Sequence, residues 1–487
     1  MVATTTLAPP PSYRIVDTRP SNSLSAPAKD ARPMKLVVVG MGYVGTPVAA
    51  LFADVPGFTV TGIQRRSPRS ALKIDALNDG RFVIEAEEPG LPELIKRVHD
   101  KGTFHVTDDT SAYRDADAII IAVQTPVDER HIPQYESLKE VLADIGDNMK
   151  RGTLVCLEST VAPGTTDHLA KPILEQHSHM KAGVDFGLLF SYERVMVGRL
   201  LHNLTSYDRI VGGIDEDSTE RGIELYRHIV KAKLHPTDAL TAEVAKVTEN
   251  AYRDVNIAFA NEIALICESL GVNVHDVRSF VNSLPNDPST PHANPYRNMH
   301  IPGAGVGGHC LPKDSWLLKY GLDAYGKLKF KPEIIVESRN LNDYMPTHMK
   351  ELTEEALGEK GIKLGDARVT ILGVAFLEDS DDTRNTPAEP LYALLKEKVK
   401  DIVAHDPYVK EHEGMKITED LEKAIEGSDC LVIVTRHQEY IELGPERLKI
   451  LMRTPVVVDG RNTLDQDRYL KAGFAFRGVG IPHKKSK

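Results

Sequence analysis

The run Leu36-Val37-Val38-Val39 passes directly into Gly40-Met41-Gly42-Tyr43-Val44-Gly45, and Thr46–Asp54 follows with helical character. An unbroken apolar run is the mark of a strand buried on both faces. A GxGxxG that closes such a strand and opens a helix marks the first turn of a parallel βαβ unit. Parallel strands cannot be joined by a tight hairpin, so the chain after this point has to cross over through helices. The first glycine allows the tight turn, the second lets a pyrophosphate approach the backbone, and the third lets helix and strand pack closely. The free amides and positive end of the helix then face the phosphates. A dinucleotide site at Gly40, Met41, Gly42, Tyr43, Val44 and Gly45 is the expectation.

Further strand-like runs follow at Thr59–Gln64, Ala118–Val123 and Leu154–Glu158, with helical stretches such as Ser137–Met149 between them. A second alternating set appears at Val369–Phe376, Asp401–His405, Cys430–Thr435 and Val456–Asp459, with Leu391–Lys398 helical. Short apolar strands alternating with helices predict parallel α/β sheets. Between the two sets there is no Gly or Pro from Thr237 to Leu270. Val244, Val247, Ala251, Val255, Ala258 and Phe259 recur there at helical spacing. The expected fold class is therefore α/β, with two Rossmann-like doubly wound domains joined by a long central helix. The expected organisation is a tail at 1–33, a dinucleotide-binding domain at 34–236, a helical and dimerising region at 237–345 and a second α/β domain at 346–487.

At 487 residues the chain is too long for one ordinary core. Its charge, 59 Lys and Arg against 70 Asp and Glu, is −11, which argues against nucleic acid or an anionic membrane as a partner. Its apolar runs are far short of the roughly 18 residues a membrane span needs. Residues 1–33 hold six prolines among Ser, Thr and Ala, the composition of a segment that cannot bury enough surface to order itself. Arg14, Arg19, Lys29 and Arg32 offer a transit-peptide reading, but Asp17 and Asp30 interrupt it. Cys156, Cys267, Cys310 and Cys430 are far apart, with no metal spacing and no disulfide framework, so no metal and a cytoplasmic setting are expected.

Two further features carry chemistry. The acid that usually meets the adenosine ribose is missing: no Asp or Glu occurs from Val55 to Ile74, and the second strand ends on Gln64 before Arg65 and Arg66. The Gln64 amide can bond the ribose hydroxyls, while the arginine pair can accept a 2′-phosphate, so NAD and NADP both stay open on the residues alone. The stretch Pro302-Gly303-Ala304-Gly305-Val306-Gly307-Gly308-His309-Cys310-Leu311-Pro312-Lys313-Asp314 delivers a cysteine from a glycine loop with charged neighbours. That is a poor place for a packing cysteine and a good one for a nucleophile. If Cys310 opens a helix, Asp314 returns to its face one turn later and can act as a base or position water.

These motifs, in this order, resemble the UDP-glucose/GDP-mannose dehydrogenase family over residues 34–487. The resemblance rests on Gly40–Gly45, Ala122-Val123-Gln124-Thr125-Pro126, Glu158–Thr166, Ala242–Asn250, Gly307–Asp314, Asp382-Thr383-Arg384 and Asp459-Gly460-Arg461. Gly308-His309-Cys310 and the stretch Asn250–Glu262 are similar to the branch that oxidises UDP-N-acetylmannosamine or UDP-N-acetylglucosamine. The resemblance implies an NAD-dependent enzyme that oxidises the C6 hydroxyl of a UDP-sugar to the uronate by two hydride transfers, with a thiohemiacetal and a thioester on Cys310. It implies Lys246 and Asn250 as the oxyanion pair, Asp314 as base, Glu193 for thioester hydrolysis and Thr160 for ordering a water. It places Gln64, Thr125, Lys313 and Arg384 on the cofactor and Arg194, Gly303 and Arg461 on the sugar nucleotide. It also implies a homodimer or higher homo-oligomer, with Arg297 reaching the neighbouring subunit's substrate. Leu377 stands where the family has a substrate-reaching lysine, and Tyr192 where the branch has proline. Alternatives are a UDP-glucose 6-dehydrogenase, a two-electron hydroxyacid-type dehydrogenase, which would need no cysteine loop, and a non-catalytic binding protein.

Overall fold

The computed structural model describes residues 32–82, 88–196, 198–283 and 298–483. Apart from Arg32 and Pro33, the expected tail lies outside the described residues, as does Arg297. The chain divides into two compact units. One takes the chain up to Val247 together with Leu317–Lys329, and the other takes Thr248–Trp316 and everything from Phe330 on. The segment 237–345 is thus shared between the two.

The first unit is built on eight strands: β1 (Met34–Val39), β2 (Phe58–Ile63), β3 (Phe104–Thr107), β4 (Ala118–Ile121), β5 (Leu154–Leu157), β6 (Gly187–Phe190), β7 (Arg209–Gly213) and β8 (Leu234–Asp238). Their order in the sheet is β3-β2-β1-β4-β5-β6-β7-β8, and β7 runs antiparallel to β6 while the other pairings are parallel. The reversal of direction on either side of β1 creates the crevice at its carboxyl end, where ligands of such sheets bind. Alternate β1 residues feed two cores: Leu36 and Val38 pack on one face, Val37 and Val39 on the other. Both faces are covered, which is why β1 reads as an unbroken apolar run rather than an alternating one.

The second unit carries six parallel strands: β9 (Arg368–Leu372), β10 (Asp401–His405), β11 (Ile417–Thr418), β12 (Cys430–Ile433), β13 (Val456–Asp459) and β14 (Ala475–Gly478). Their order is β11-β10-β9-β12-β13-β14, which repeats the order of the first six strands of the other unit. Cys430 and Val432 enter one core, Leu431 and Ile433 the other. The two doubly wound sheets expected from the sequence are present.

The expected long helix runs over Ala239–Leu270, and Thr237 and Asp238 complete β8 instead. Its apolar stripe needs correction. Val247, Ala251 and Ala258 are buried, but Val244 and Phe259 are exposed. Phe259 belongs instead to an outward row with Tyr252 and Ile266, spaced by seven residues, which is two helical turns. The spacing was helical, and the face was set by what each unit packs against it. Among the described residues no helix is long and apolar enough to cross a membrane.

Candidate active site

The nucleotide end of the first unit follows from its glycines. Gly40 takes φ +95°, and a Cβ there would run into the Ala122 carbonyl. A Cβ on Gly42, by contrast, would meet nothing within 4 Å, so this backbone lies open to a ligand. The helix Gly45–Asp54 begins with no side-chain cap, leaving its first amides for another acceptor. A cavity of about 670 Å³ opens here, lined among others by Gly40, Met41, Gly42, Gln64, Arg66 and Val123. Open glycine backbone, uncapped helix and cavity together fit a dinucleotide.

Gln64 has a structural contact of its own. Its Oε1 accepts the Met41 N–H at 3.0 Å, so the residue braces the glycine loop. Arg65 pairs with Glu140, and Arg66 reaches Asp108 at 3.3 Å. Each guanidinium already faces a carboxylate, which opposes a 2′-phosphate.

The other polar cluster of this unit surrounds Lys246. The lysine is 6% exposed. Its Nζ donates to the Glu193 carbonyl at 2.9 Å and to the Glu193 carboxylate at 3.3 Å, and it lies 5.3 Å from the centre of the Tyr192 ring. Tyr192, the departure noted in the sequence, is buried and gives this ammonium an aromatic face. Arg194 donates to the Asp208 carbonyl at 2.9 Å and to the Tyr192 hydroxyl at 3.3 Å. Thr125 donates to the Thr160 carbonyl at 2.5 Å, tying the two threonine loops together.

Two supports of this cluster were not anticipated. Glu158 and Arg209 form a buried ion pair, and Arg209 also donates to the Ser191 hydroxyl and carbonyl, each at 2.9 Å. Ser191 lies two residues before Glu193, so the pair fixes the segment that holds Lys246. Glu243, one helical turn before Lys246, accepts the Gly164 amide at 2.6 Å, the Thr166 amide at 2.8 Å and the Thr166 hydroxyl at 2.7 Å. Buried acids on a helix or strand give no local sequence signal beyond their charge in an apolar setting.

Burial pushes the Glu243 carboxyl up to about 7 against the pull of those three donors. A carboxyl whose folded value lies above its unfolded one binds its proton more tightly in the fold. Its contribution to stability is therefore full below about pH 4.5 and declines as pH rises to about 7, by about 3 kcal/mol in all. Wild-type Tm is expected to fall relative to that of Glu243→Gln as pH is raised from 5 to 7.5. Parallel Tm curves would mean that the donors keep the carboxylate ionised throughout.

In the second unit the glycine loop ends at Cys310, whose carbonyl accepts the Lys313 and Asp314 amides at 3.1 and 2.9 Å. The helix Leu311–Tyr325 starts there, so Cys310 stands at a helix N-terminus and Asp314 one turn on. Cys310 is half-buried, whereas the other three cysteines are buried. Asp314 is fully buried and is met from both sides, by Lys313 Nζ at 2.8 Å and by Asn250 Nδ2 at 2.6 Å. Asn250, the expected oxyanion donor, here gives its amide to Asp314. His309 is exposed, and partial desolvation of its ring and the Lys313 and Arg384 charges hold it below the usual histidine range.

The loop is anchored to the second sheet. The Gly308 amide donates to the Arg384 carbonyl at 2.8 Å, and the Arg384 guanidinium rests on Asp382 at 2.6 Å. A Cβ on Gly303 would strike Arg461 Nη1 at 2.6 Å, so this guanidinium lies against glycine backbone. Arg461 also faces Glu378 at 3.7 Å.

The dinucleotide crevice of a doubly wound sheet, with a second such sheet in the same chain, is the architecture of an NAD-dependent oxidoreductase. The chain belongs to the UDP-glucose/GDP-mannose dehydrogenase family. The family's NAD binding domain matches residues 34–230, its central domain 240–344 and its UDP binding domain 370–466. A UDP-N-acetyl-D-mannosamine dehydrogenase of Pyrococcus horikoshii is 36% identical over 448 residues, covering 92% of this chain and 99% of its own. The solved structure of an NDP-N-acetyl-D-galactosaminuronic acid dehydrogenase from Methanosarcina mazei matches with a TM-score of 0.85 at 43% identity, covering 92% of this chain and 96% of that one. The solved structure of the Pyrococcus horikoshii enzyme matches with a TM-score of 0.80 at 37% identity, covering 92% and 99%.

Proposed function

We propose that this enzyme oxidises the C6 hydroxyl of a UDP-N-acetylhexosamine, UDP-N-acetylmannosamine first, to the uronate, with Cys310 as nucleophile. The observation that carries this reading is Cys310 at the head of a helix whose first turn holds Lys313 and a buried Asp314 bonded by Asn250. The names of the relatives support the sugar class. Bound NAD⁺ supplies the hydride acceptor for each of two oxidations. Lys246 stabilises the alkoxide at C6 as the first hydride leaves, and Asp314 takes the hydroxyl proton. The Cys310 thiolate adds to the aldehyde carbon, and the positive end of its helix favours that anion. Asn250 and Lys246 then steady the thiohemiacetal oxygen as the second hydride leaves and a thioester forms. Water held by Thr160 and Glu193 cleaves the thioester, releasing the uronate and the free thiol.

Thr125, Gln64, Lys313 and Arg384 serve the cofactor in this scheme, and Arg194, Gly303 and Arg461 the sugar nucleotide. Arg297 supplies the neighbouring subunit's site. The domain boundaries proposed are those of 34–236, 237–345 and 346–487. A homodimer is supported by the outward Tyr252, Phe259 and Ile266 row, which light scattering at assay concentration checks. A cytoplasmic setting is supported by the free thiol the chemistry requires.

The deciding experiment is a panel of UDP- and GDP-sugars, each with NAD⁺ and with NADP⁺, read as NADH or NADPH per sugar and as product mass. Two NADH per UDP-N-acetylmannosamine and a uronate product are expected. A higher kcat/KM with UDP-glucose would reassign the sugar. One NADH per turnover would reassign the reaction to a two-electron dehydrogenase. A higher kcat/KM with NADP⁺ would show that Arg65 and Arg66 leave their acids for a 2′-phosphate.

A further inference from the structure

The stretch Gly303–Ser315, which carries Cys310, is tied at both ends to one buried carboxylate on the long helix. At its far end the Ser315 hydroxyl reaches Asp254 Oδ2 at 3.4 Å. At its near end the Gly303 amide donates to Asn261 Oδ1 at 3.0 Å, and Asn261 Nδ2 donates to Asn342 Oδ1 at 2.9 Å. Asn342 Nδ2 in turn donates to Asp254 Oδ1 at 2.9 Å and to the Asp254 carbonyl at 3.0 Å. Asp254 forms an ion pair with Arg339, which also donates to Asp343 at 2.9 Å. Asp254, Asn261, Ser315, Arg339 and Asn342 are all at most 1% exposed.

A fully buried ion pair is a weak source of stability, because desolvating two charges offsets most of their attraction. Apolar residues of similar volume would hold two helices together as well. What a charged pair with directional bonds adds is register. Asp254 lies one turn beyond Asn250 on the same helix, and Asn250 holds Asp314. Nucleophile, base and glycine loop are thereby referred to one helix face.

We infer that Asp254, held by Arg339, is a positioning residue that fixes the cysteine loop at both ends and so sets where Cys310 and Asp314 stand. It acts through Asn342, Asn261 and Ser315 and has no contact of its own with substrate. The inference rests on the reading of Cys310 as nucleophile.

Two variants of the full chain test it. Asn342→Leu cuts the branch to Gly303 and leaves the ion pair. Asp254→Leu combined with Arg339→Met replaces the pair by apolar volume. Each is assayed for kcat with UDP-N-acetylmannosamine and NAD⁺, for NAD⁺ binding by calorimetry, and for the pH profile of iodoacetamide alkylation. The other three cysteines are buried, so alkylation of the native protein reports Cys310. The expected result is a cooperative unfolding transition and unchanged NAD⁺ binding. With these, kcat should drop by about 10²-fold, the order that a small misplacement costs, and the alkylation profile should shift.

Wild-type kcat and an unshifted profile in either folded variant would overturn the inference. If one variant loses its cooperative transition, the other decides. Loss of both would mark the network as purely structural and would also overturn it. Cys310→Ser, run alongside, separates the two readings: its inactivity with fully active network variants defeats the inference alone, whereas its activity defeats the nucleophile.

Discussion

Cys310→Ser is expected to stop uronate release while leaving a folded protein that still binds NAD⁺ and UDP-sugar. The residue heads a helix through its backbone carbonyl and its side chain is only half-buried, so replacing the thiol by an isosteric hydroxyl should change stability by about 0.5 kcal/mol or less. Turnover should fall by about 10⁴–10⁶-fold, the range seen when a covalent nucleophile is removed. Serine offers no comparable anion. An alcohol is far less acidic than a thiol, so the serine stays protonated where the cysteine can ionise. Calorimetry with each ligand and mass analysis of the product check the outcome. Near-native turnover would remove Cys310 from the mechanism and favour direct oxidation of a hydrated aldehyde.

Lys246→Met carries the second large effect. Methionine keeps an unbranched apolar stem against Tyr192 and removes only the ammonium. A donor aimed at a developing alkoxide is worth about 10²–10³-fold in kcat, and a group that acts mainly in the transition state leaves KM little changed. Steady-state kinetics separate the possibilities. A raised KM with unaltered kcat would make Lys246 a ground-state contact. Unchanged kinetics would confine it to its bonds with Glu193.

Much of this site could be read in the sequence because its motifs report local geometry. A GxGxxG after an apolar strand leaves few alternatives, and Cys310, Lys313 and Asp314 are neighbours along one helical turn. The second sheet was legible from Asp401–His405 and Val456–Asp459, which are strands with the bounds expected. The strands β7 and β8 were not, because β7 carries Arg209 and two glycines among its five residues and β8 carries His235, Pro236, Thr237 and Asp238 among its five. Charged residues that meet partners far along the chain were also illegible. Nothing near Glu158 announces Arg209, and nothing near Asp254 announces Arg339. Beyond the ribose contact expected of Gln64, its bond to Met41 has no sequence signal, because only the folded turn creates it.

On the long helix, Glu243, Lys246, Asn250, Asp254 and Asn261 follow one another at steps of three, four, four and seven residues. Each step is a whole number of helical turns to within a fraction of a residue. The spacing of this chemistry along the gene is therefore a matter of phase. One residue inserted between Glu243 and Asn261 would swing every later side chain by about 100° about the helix axis, even though no side chain in the row had been changed. Insertions and deletions of one or two codons in this segment should be tolerated far less than substitutions on its outward face, and an insertion of seven codons, about two turns, should disturb the phase less than any shorter one.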